Sequence, residues 1–161
     1  KHQRRSDIIP PQIKIAGNYT SSMMAKWQAR KNGYDEIILT DENGFITEAP
    51  TSNVFLVNQD DVLLTAPEEE VLYGITRKSI LDIADNEGIK TKVERIPLSK
   101  LKNAKEVFIT SSSHLVCPVI KIDNNPVGSG GIGVLTDKLK QRFLKISQGQ
   151  DSFFSDWLDS I

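Results

Sequence analysis

Residues 46–55 read ITEAPTSNVF and place an acidic residue where a strand meets a turn. Glu48 follows the apolar Ile46 and precedes small, turn-forming residues, and a second apolar run begins at Asn53. The pattern predicts a strand over residues 45–48 that returns from a hairpin turn at residues 41–44 and ends at Glu48. A second pair of strands, 53–57 and 62–64, is predicted around the polar turn at residues 58–61. The Glu48 carboxylate is therefore expected at the mouth of a strand, where binding sites often lie. Taken alone, such a segment more often holds an ordinary surface glutamate.

The sequence around this segment predicts short strands and several helices in an irregular order. Thr136 is predicted to cap the last long helix. Because strands and helices do not alternate regularly, the predicted fold class is α+β, an irregular α/β pseudo-barrel. The predicted strands cover residues 13–15, 36–39, 45–48, 53–57, 62–64, 90–96, 105–110 and 115–120, and the predicted helices cover 19–32, 75–87, 98–101 and 136–146.

The composition is that of an ordinary globular domain and excludes several classes of protein. The chain has 161 residues, of which 39% are hydrophobic and 25% are charged, and this suits one domain with a real core. Its net charge of −1 favours neither nucleic acid nor an anionic membrane as a partner. The single cysteine, Cys117, allows no internal disulfide, and no apolar run approaches the roughly 20 residues of a membrane helix. A cytoplasmic protein is predicted.

Metal, hydrolase and dinucleotide sites find little support. His2, His114 and Cys117 are far apart or lack partners at ligand spacing, so no metal site is predicted. The serine-hydrolase motif Gly-x-Ser-x-Gly is absent. The glycines of residues 128–133 are not followed by a proper strand–loop–helix unit, which argues against a dinucleotide site.

Three other segments carry residues suited to chemistry. A lysine that is withdrawn from water by apolar neighbours favours its neutral, nucleophilic amine, and Lys14 lies between Ile13 and Ile15. Residues 72–77 form a glycine turn into a helix, whose free N–H groups and dipole suit a phosphate. Residues 110–113 add three serines between two predicted strands. Singly, each is more often a surface lysine, a helix cap or a turn.

Taken in order, these segments resemble the fold-type IV family of pyridoxal 5'-phosphate (PLP) enzymes. That family includes branched-chain aminotransferases, D-amino acid aminotransferases and aminodeoxychorismate lyases. The resemblance extends from about residue 13 to residue 148. Its motifs are Lys14-x-x-Gly17–Asn18–Tyr19, residues 32–36, Gly44-x-x-x-Glu48 with Asn53–Val54–Phe55, Leu72-x-Gly74–Ile75–Thr76–Arg77, Glu94–Arg95, Glu106–Val107–Phe108 with Pro118–Val119, Ile122–Asp123 and Gly133-x-x-Thr136.

The resemblance implies a role for each matching position. Lys14 would hold PLP as a Schiff base and later carry a proton, Glu48 would pair with the pyridine nitrogen, and Tyr19 would hydrogen-bond the phenolic oxygen. Further positions would complete the site, and no metal is implied. Leu72 would pack on the ring, Ile75, Thr76, Ser111 and Ser112 would bind the phosphate, and Ser112 and Ser113 would receive the substrate carboxylate.

The chain departs from the family pattern at the serine turn and in its extent. Ser111 and Ser112 replace a Gly-Thr pair, and His114 replaces a small residue. The resemblance implies a smaller N-terminal domain, with a phosphate-binding arginine, ahead of these motifs, and none of it is expected among the residues of this chain. The resemblance therefore implies that residues 1–12 are a linker from a missing N-terminal domain and that residues 13–161 form the large, PLP-binding domain.

The function implied is amino transfer from a branched-chain amino acid to 2-oxoglutarate through Lys14. D-amino acid aminotransferase and aminodeoxychorismate lyase are alternatives within the family, and a non-catalytic assembly domain is an alternative of another class. The implied partners are amino acid and 2-oxo acid substrates and a homodimer or higher homo-oligomer, with no nucleic acid and no membrane.

Overall fold

The computed structural model describes residues 10–159, so most of the predicted linker 1–12 lies outside the described range. The predicted domain division consequently stays a prediction. Within that range the chain forms helices and short strands, and the α+β prediction is confirmed. The helices are α1 (Ala16–Lys31), α2 (Ile75–Asn86) and α3 (Val134–Ser147), and the strands are β1 (Phe45–Ile46), β2 (Glu48–Ala49), β3 (Ser52–Val57), β4 (Leu63–Thr65), β5 (Thr91–Val93), β6 (Ile96–Pro97), β7 (Glu106–Ser111), β8 (Leu115–Pro118), β9 (Lys121–Ile122) and β10 (Asn125–Pro126); short 3-10 helices cover Glu68–Glu70, Leu98–Asn103 and Ser155–Trp157.

The main sheet has six strands, and β3 lies at its centre. The strand order is β5-β4-β3-β7-β8, and β2 also pairs with β3. All neighbours are antiparallel except β4 and β5. Glu48 of β2 pairs with Asn53 of β3, which in turn pairs with Thr110 of β7. One row across three strands therefore brings together residues that are 5 and 57 positions apart in sequence.

Alternation along β3 sorts its side chains into two hydrophobic cores. Phe55 and Val57 join the core that α2 and α3 cover, and the Phe55 ring stacks on Phe108 with centroids 5.0 Å apart. Val54 and Leu56 join the core on the other face, which β1, β6 and the 3-10 helix over Leu98–Asn103 cover. Because every side chain of β3 is buried, its register fixes both cores at once.

The start of α3 is held by Glu106 of β7. The Glu106 carboxylate accepts hydrogen bonds from the backbone N–H groups of Leu135 and Thr136 and from the Thr136 hydroxyl, at 3.0, 2.7 and 2.7 Å. The prediction that Thr136 caps this helix is wrong, because the helix begins at Val134 and Gly133 holds the cap position. A carboxylate from the neighbouring sheet satisfies the free N–H groups instead.

Several predicted strands are shorter than expected or absent. Residues 13–15 form no strand and lead directly into α1. Residues 36–39 also form none, although Thr40 makes an isolated bridge to Ile46. The predicted strand over 90–96 is divided into β5 and β6, which join different sheets. Short strands of this kind depend on partners distant in sequence, which local pattern does not reveal.

Helix α1 exposes large apolar side chains, whereas α2 and α3 cover a hydrophobic core. Its buried residues are Ser22 and Ala25, whereas Met24 and Trp27 are 57% and 54% exposed. Lys31 places its ammonium group 3.5 Å from the centre of the Trp27 ring. No helix within residues 10–159 has the length and apolar character needed to cross a bilayer.

Candidate active site

The Glu48 side chain is buried at the end of the main sheet. It is 7% exposed, and its Oε2 accepts a hydrogen bond from the backbone N–H of Leu72 at 3.0 Å. The β2–β3 hairpin places it there, because the two-residue turn Pro50–Thr51 sets Glu48 opposite Asn53. Burying a carboxylate is costly unless it is paired or hydrogen-bonded. A group held in this way is suited to binding a cationic or N–H-bearing ligand.

The backbone N–H and carbonyl groups of Leu72 are both held by the β2–β3 hairpin. Its N–H donates to Glu48, and its carbonyl oxygen accepts a hydrogen bond from the Asn53 side-chain N–H at 2.8 Å. The carbonyl also accepts one from the N–H of Gly74 at 2.9 Å. The Leu72 side chain is half-buried. The segment that enters α2 is therefore placed by the residues that surround Glu48.

The N-terminus of α2 begins at a glycine. Gly74 holds the cap position and contributes no side chain that could cap the helix. A Cβ at residue 74 would overlap the Asn53 side-chain oxygen, so only glycine fits this approach. Thr76 is buried and Ile75 is 81% exposed. The first N–H groups of a helix have no intrahelical acceptors, and the dipole makes this end positive, so the arrangement suits an anion.

Arg77 adds a buried positive charge in the first turn of α2. Its side chain is fully buried, and its Nη2 donates to the Ala66 carbonyl at 2.9 Å. Glu68 lies 3.8 Å from Nη1. Burial lowers the pKa of Arg77 from its ordinary value, which the charge of Glu68 partly offsets. An arginine remains protonated even so, and it reinforces the positive end of the helix.

The turn over residues 111–113 lies next to the start of β3. Thr110 pairs with Asn53, and its buried hydroxyl has no hydrogen-bond partner among the described residues. The Ser111 and Ser113 hydroxyl oxygens are 3.0 Å apart, and Ser112 is exposed. The sheet thus brings this hydroxyl-rich turn and the Glu48 hairpin to the same place, where β3 begins and β7 ends.

Lys14 lies in the segment that precedes α1, and it is exposed. Its apolar neighbours do not withdraw it from water in this structure, since Ile13 and Ile15 are 46% and 44% exposed, so Lys14 is a surface lysine here. The segment is nevertheless held, because the Asn18 side-chain N–H donates to the carbonyls of Ile13 and Pro10 at 2.7 and 3.2 Å.

One contact ties the Lys14 segment to the rest of the chain, and Tyr19 lies in α1. The Gln12 side-chain N–H donates to the Glu69 carbonyl at 2.9 Å, which joins the Lys14 segment to the loop before Leu72. Tyr19 is half-buried in α1, and its carbonyl accepts a hydrogen bond from the Ser22 hydroxyl at 3.1 Å. The Lys14 segment is therefore tied to the loop that leads to the Glu48 hairpin, while Tyr19 is placed by α1 itself.

Sequence reasoning assigned no role to Asn53, although it fixes both Leu72 and Gly74. A polar residue at the start of an otherwise apolar strand was the available signal, since Asn disfavours strands unless its side chain has partners. His114 is a departure from the family pattern, and its ring contacts Ser52 and Ser113.

The sequence matches known proteins along most of its length. The profile of the amino-transferase class IV family matches residues 1–122. A probable branched-chain-amino-acid aminotransferase of Aquifex aeolicus is 35% identical over 98% of this chain and 52% of its own length. The branched-chain-amino-acid aminotransferase of Escherichia coli K12 is 36% identical over 96% of this chain and 50% of its own length. The chain spans about half the length of these relatives.

The fold matches solved structures equally well. The crystal structure of the Escherichia coli branched-chain amino acid aminotransferase superposes with a TM-score of 0.93 at 34% identity, over 99% of this chain and 52% of that one. Further crystal structures of a branched-chain amino acid aminotransferase that superpose with the same TM-score of 0.93 hold pyridoxamine 5'-phosphate, N-(5'-phosphopyridoxyl)-L-glutamate or 4-methylvaleric acid.

Proposed function

The chain belongs to the class IV aminotransferase family, and on that premise we propose that it forms the cofactor-binding part of a PLP-dependent amino acid transaminase. The proposed reaction moves the amino group of a branched-chain amino acid to 2-oxoglutarate. The observation that most supports this function is the buried Glu48 carboxylate, joined through the Leu72 backbone to the glycine at the start of α2. Because the chain spans about half of its relatives, the activity is proposed for the whole protein.

The donor set at the end of the sheet fits PLP. A phosphate suits the N-terminus of α2, where the glycine at 74 and the buried cation of Arg77 favour an anion. The buried Thr110 hydroxyl lacks a partner among residues 10–159 and adds a donor nearby. A protonated ring nitrogen suits the buried carboxylate of Glu48. Each polar end of the cofactor therefore has complementary groups on this chain.

When bound, PLP supplies a ring that accepts the electrons released at the substrate's α-carbon and a site that holds the amino group between two half-reactions. The Glu48 carboxylate is proposed to keep the ring nitrogen protonated, and burial strengthens this interaction. The Lys14 amine is proposed to hold the cofactor covalently and, once released by substrate, to take the proton from the α-carbon. The Tyr19 hydroxyl is proposed to donate a hydrogen bond to the phenolic oxygen.

The remaining proposed contacts hold the phosphate, the ring and the substrate. The N–H groups of Ile75 and Thr76 and the hydroxyls of Ser111 and Ser112 are proposed to bind the phosphate. Leu72, fixed by Glu48 and Asn53, would pack on the ring. The N–H groups of Ser112 and Ser113 are proposed to receive the substrate's α-carboxylate.

The names of the relatives favour the branched-chain branch of the family over the D-amino acid aminotransferases and the lyases. We further propose a cytoplasmic homodimer or higher homo-oligomer. The exposed Met24 and Trp27 of α1 support association with a further protein surface. A purely non-catalytic assembly role is disfavoured, because Lys14, Tyr19 and Glu48 all keep the residue types that the chemistry needs.

The test is an absorbance spectrum of the full-length protein with PLP, followed by borohydride reduction and peptide mass mapping. We expect a visible cofactor band and a pyridoxyl mass on the peptide that contains Lys14. Lys14→Ala should lose this mass and keep its circular dichroism spectrum, whereas the exposed control Lys102→Ala should keep both. An unchanged pyridoxyl yield in Lys14→Ala would refute the assignment of this lysine. Turnover of leucine, isoleucine and valine, compared with D-amino acids, then identifies the branch.

A further inference from the structure

The His114 ring bridges two separate segments of the candidate site. Its Nε2 lies 3.2 Å from the Ser52 hydroxyl, and its Nδ1 lies 3.3 Å from the Ser113 hydroxyl. In a neutral imidazole one nitrogen donates and the other accepts, and a serine hydroxyl can do either. Both ring nitrogens therefore have compatible partners, one on β3 and one on the turn between β7 and β8.

The turn that His114 joins is strained and rich in hydroxyls. Leu115, which follows His114, has a φ of 56°, a left-handed conformation that costs energy for a bulky residue. The Ser111 hydroxyl accepts a hydrogen bond from the backbone N–H of His114 at 3.3 Å and lies 3.0 Å from the Ser113 hydroxyl. These bonds stay within the turn, whereas the ring of His114 reaches beyond it. A strained turn persists when its surroundings hold it.

The other end of the bridge is firm. Ser52 is 6% exposed and pairs with Ala49 in the hairpin that carries Glu48. The hairpin is in turn held to Leu72 by Glu48 and Asn53. A hydrogen bond from the ring to Ser52 thus joins the serine turn to the best-fixed part of the site.

We infer that His114 is a positioning residue, which anchors on Ser52 and orders the Ser113 end of the turn to receive the substrate's α-carboxylate. The inference rests on the proposed function for the role of Ser113. His114 acts through Ser113 and contributes to the binding of both the amino acid and the 2-oxo acid, because they share the α-carboxylate. The cofactor's phosphate, assigned to Ser111, Ser112 and the start of α2, depends on it less.

The test compares His114→Ala, Ser52→Ala and their double variant in the full-length, PLP-loaded protein. Calorimetry measures the Kd of 4-methylvalerate, a carboxylate without an amino group, and steady-state assays measure KM and kcat. Each single variant should weaken 4-methylvalerate binding and raise KM by roughly three- to tenfold, the effect of one hydrogen bond. The Kd of PLP and kcat should change less than about twofold. The double variant should bind 4-methylvalerate no more weakly than the single variant with the higher Kd, since both substitutions remove the same contact.

Two further variants separate positioning from a general loss of structure. His114→Gln retains a donor and an acceptor, so it should restore 4-methylvalerate binding with Ser52 present but not with Ser52→Ala. Thr51→Ala, an exposed neighbour in the same hairpin turn, should change nothing. Unchanged carboxylate binding in His114→Ala, additive losses in the double variant, or an equal loss of PLP affinity would each overturn the inference.

A spectrum of the cofactor-free protein keeps the two hypotheses distinguishable. Long-range ¹H–¹⁵N spectra resolve the two ring nitrogens of His114. Ser52→Ala should move the Nε2 resonance, and Thr51→Ala should not. If the shift is seen but PLP does not bind, the bridge stands and the proposed function fails. An Nε2 resonance that is insensitive to Ser52→Ala would overturn the bridge itself.

Discussion

The end of the main sheet and the α1 side differ in how firmly this chain holds its candidate residues. Glu48 is buried, and its hairpin fixes Leu72 through two hydrogen bonds. Lys14 is exposed, and its segment is held chiefly through the Asn18 side chain and Gln12. The proposed ring contacts of Glu48 and Leu72 are thus anchored in the core, whereas the proposed covalent attachment at Lys14 lies on a surface segment.

Because of this difference, we expect substitutions at the sheet end and in the Lys14 segment to have different effects. Residues at the sheet end share strand register with both cores, so a substitution that removes a contact there affects geometry and stability together. The Lys14 segment contributes little buried apolar surface, so a substitution there alters local order and leaves the fold intact. The predictions below test this distinction, from the largest expected effect to the smallest.

Glu48→Gln is expected to have the largest effect. The fold and the attachment at Lys14 should remain, but kcat should fall by at least about two orders of magnitude, because one preorganised charge in a buried site is worth several kcal/mol. Steady-state kinetics and pyridoxyl mapping of the full-length protein measure the two properties. The matched control is Glu94→Gln, which removes a carboxylate paired with Lys100 away from the site. A Glu48→Gln enzyme with unimpaired kcat would remove Glu48 from the proposed role.

Glu106→Ala tests how much a residue of the central sheet stabilises the fold through the start of α3. It removes the acceptor for two backbone N–H groups and the buried Thr136 hydroxyl, and should destabilise the protein by about 2–3 kcal/mol. Urea unfolding followed by circular dichroism measures this. Asp137→Asn removes another carboxylate from the first turn of α3 and should cost less than about 1 kcal/mol. Equal effects of the two variants would contradict the assigned role of Glu106.

The sequence predicted the pairing of β3 with β4 and the family, and it failed where partners lie far apart in the chain. The apolar runs now seen as β3, β4 and β7 were evident from the local pattern, and the family resemblance is confirmed. Thr136 looked like a helix cap because serine and threonine often serve as one, but Glu106, 30 residues earlier, satisfies those N–H groups. Lys14 is exposed, as a lysine between two apolar residues more often is, because apolar neighbours indicate burial only when another surface covers them.

Gly74→Ala should have an intermediate effect that depends on Asn53. The added methyl group would overlap the Asn53 side-chain oxygen, so the entrance to α2 must shift, at a cost of about 1–3 kcal/mol. The Kd of PLP should rise in parallel, as measured by absorbance titration. In an Asn53→Ala background the same substitution should cost less, because the obstructing amide is gone. Additive effects of the two substitutions would show that the close approach does not determine the choice of glycine.

Asn18→Ala tests the other side of the comparison. Loss of the two bonds to the Pro10 and Ile13 carbonyls should loosen the Lys14 segment, and slow PLP attachment a few-fold. Global stability should change by less than about 1 kcal/mol. Stopped-flow absorbance and urea unfolding measure the two effects, with exposed Gln28→Ala on α1 as the control. A large loss of global stability in Asn18→Ala would show that this segment belongs to the core after all.

Glu87→Gln should have the smallest effect and one that depends on pH. Hydrogen bonds from Lys138, at 2.7 Å, and from Arg142 lower the pKa of the Glu87 carboxyl, so the folded state binds its proton less readily than the unfolded chain does. The carboxylate therefore contributes stability above about pH 4.3, the ordinary value for Glu, and loses that contribution as the pH falls through the folded-state pKa. The pair is partly solvent-screened, so the substitution should cost no more than about 1 kcal/mol at about pH 7. Because Glu87 joins α2 to α3 away from the sheet end, PLP affinity should not change, and urea unfolding should show the cost shrinking at acid pH. A cost that grows below about pH 4 would invert the sign of the linkage and refute the assigned cause.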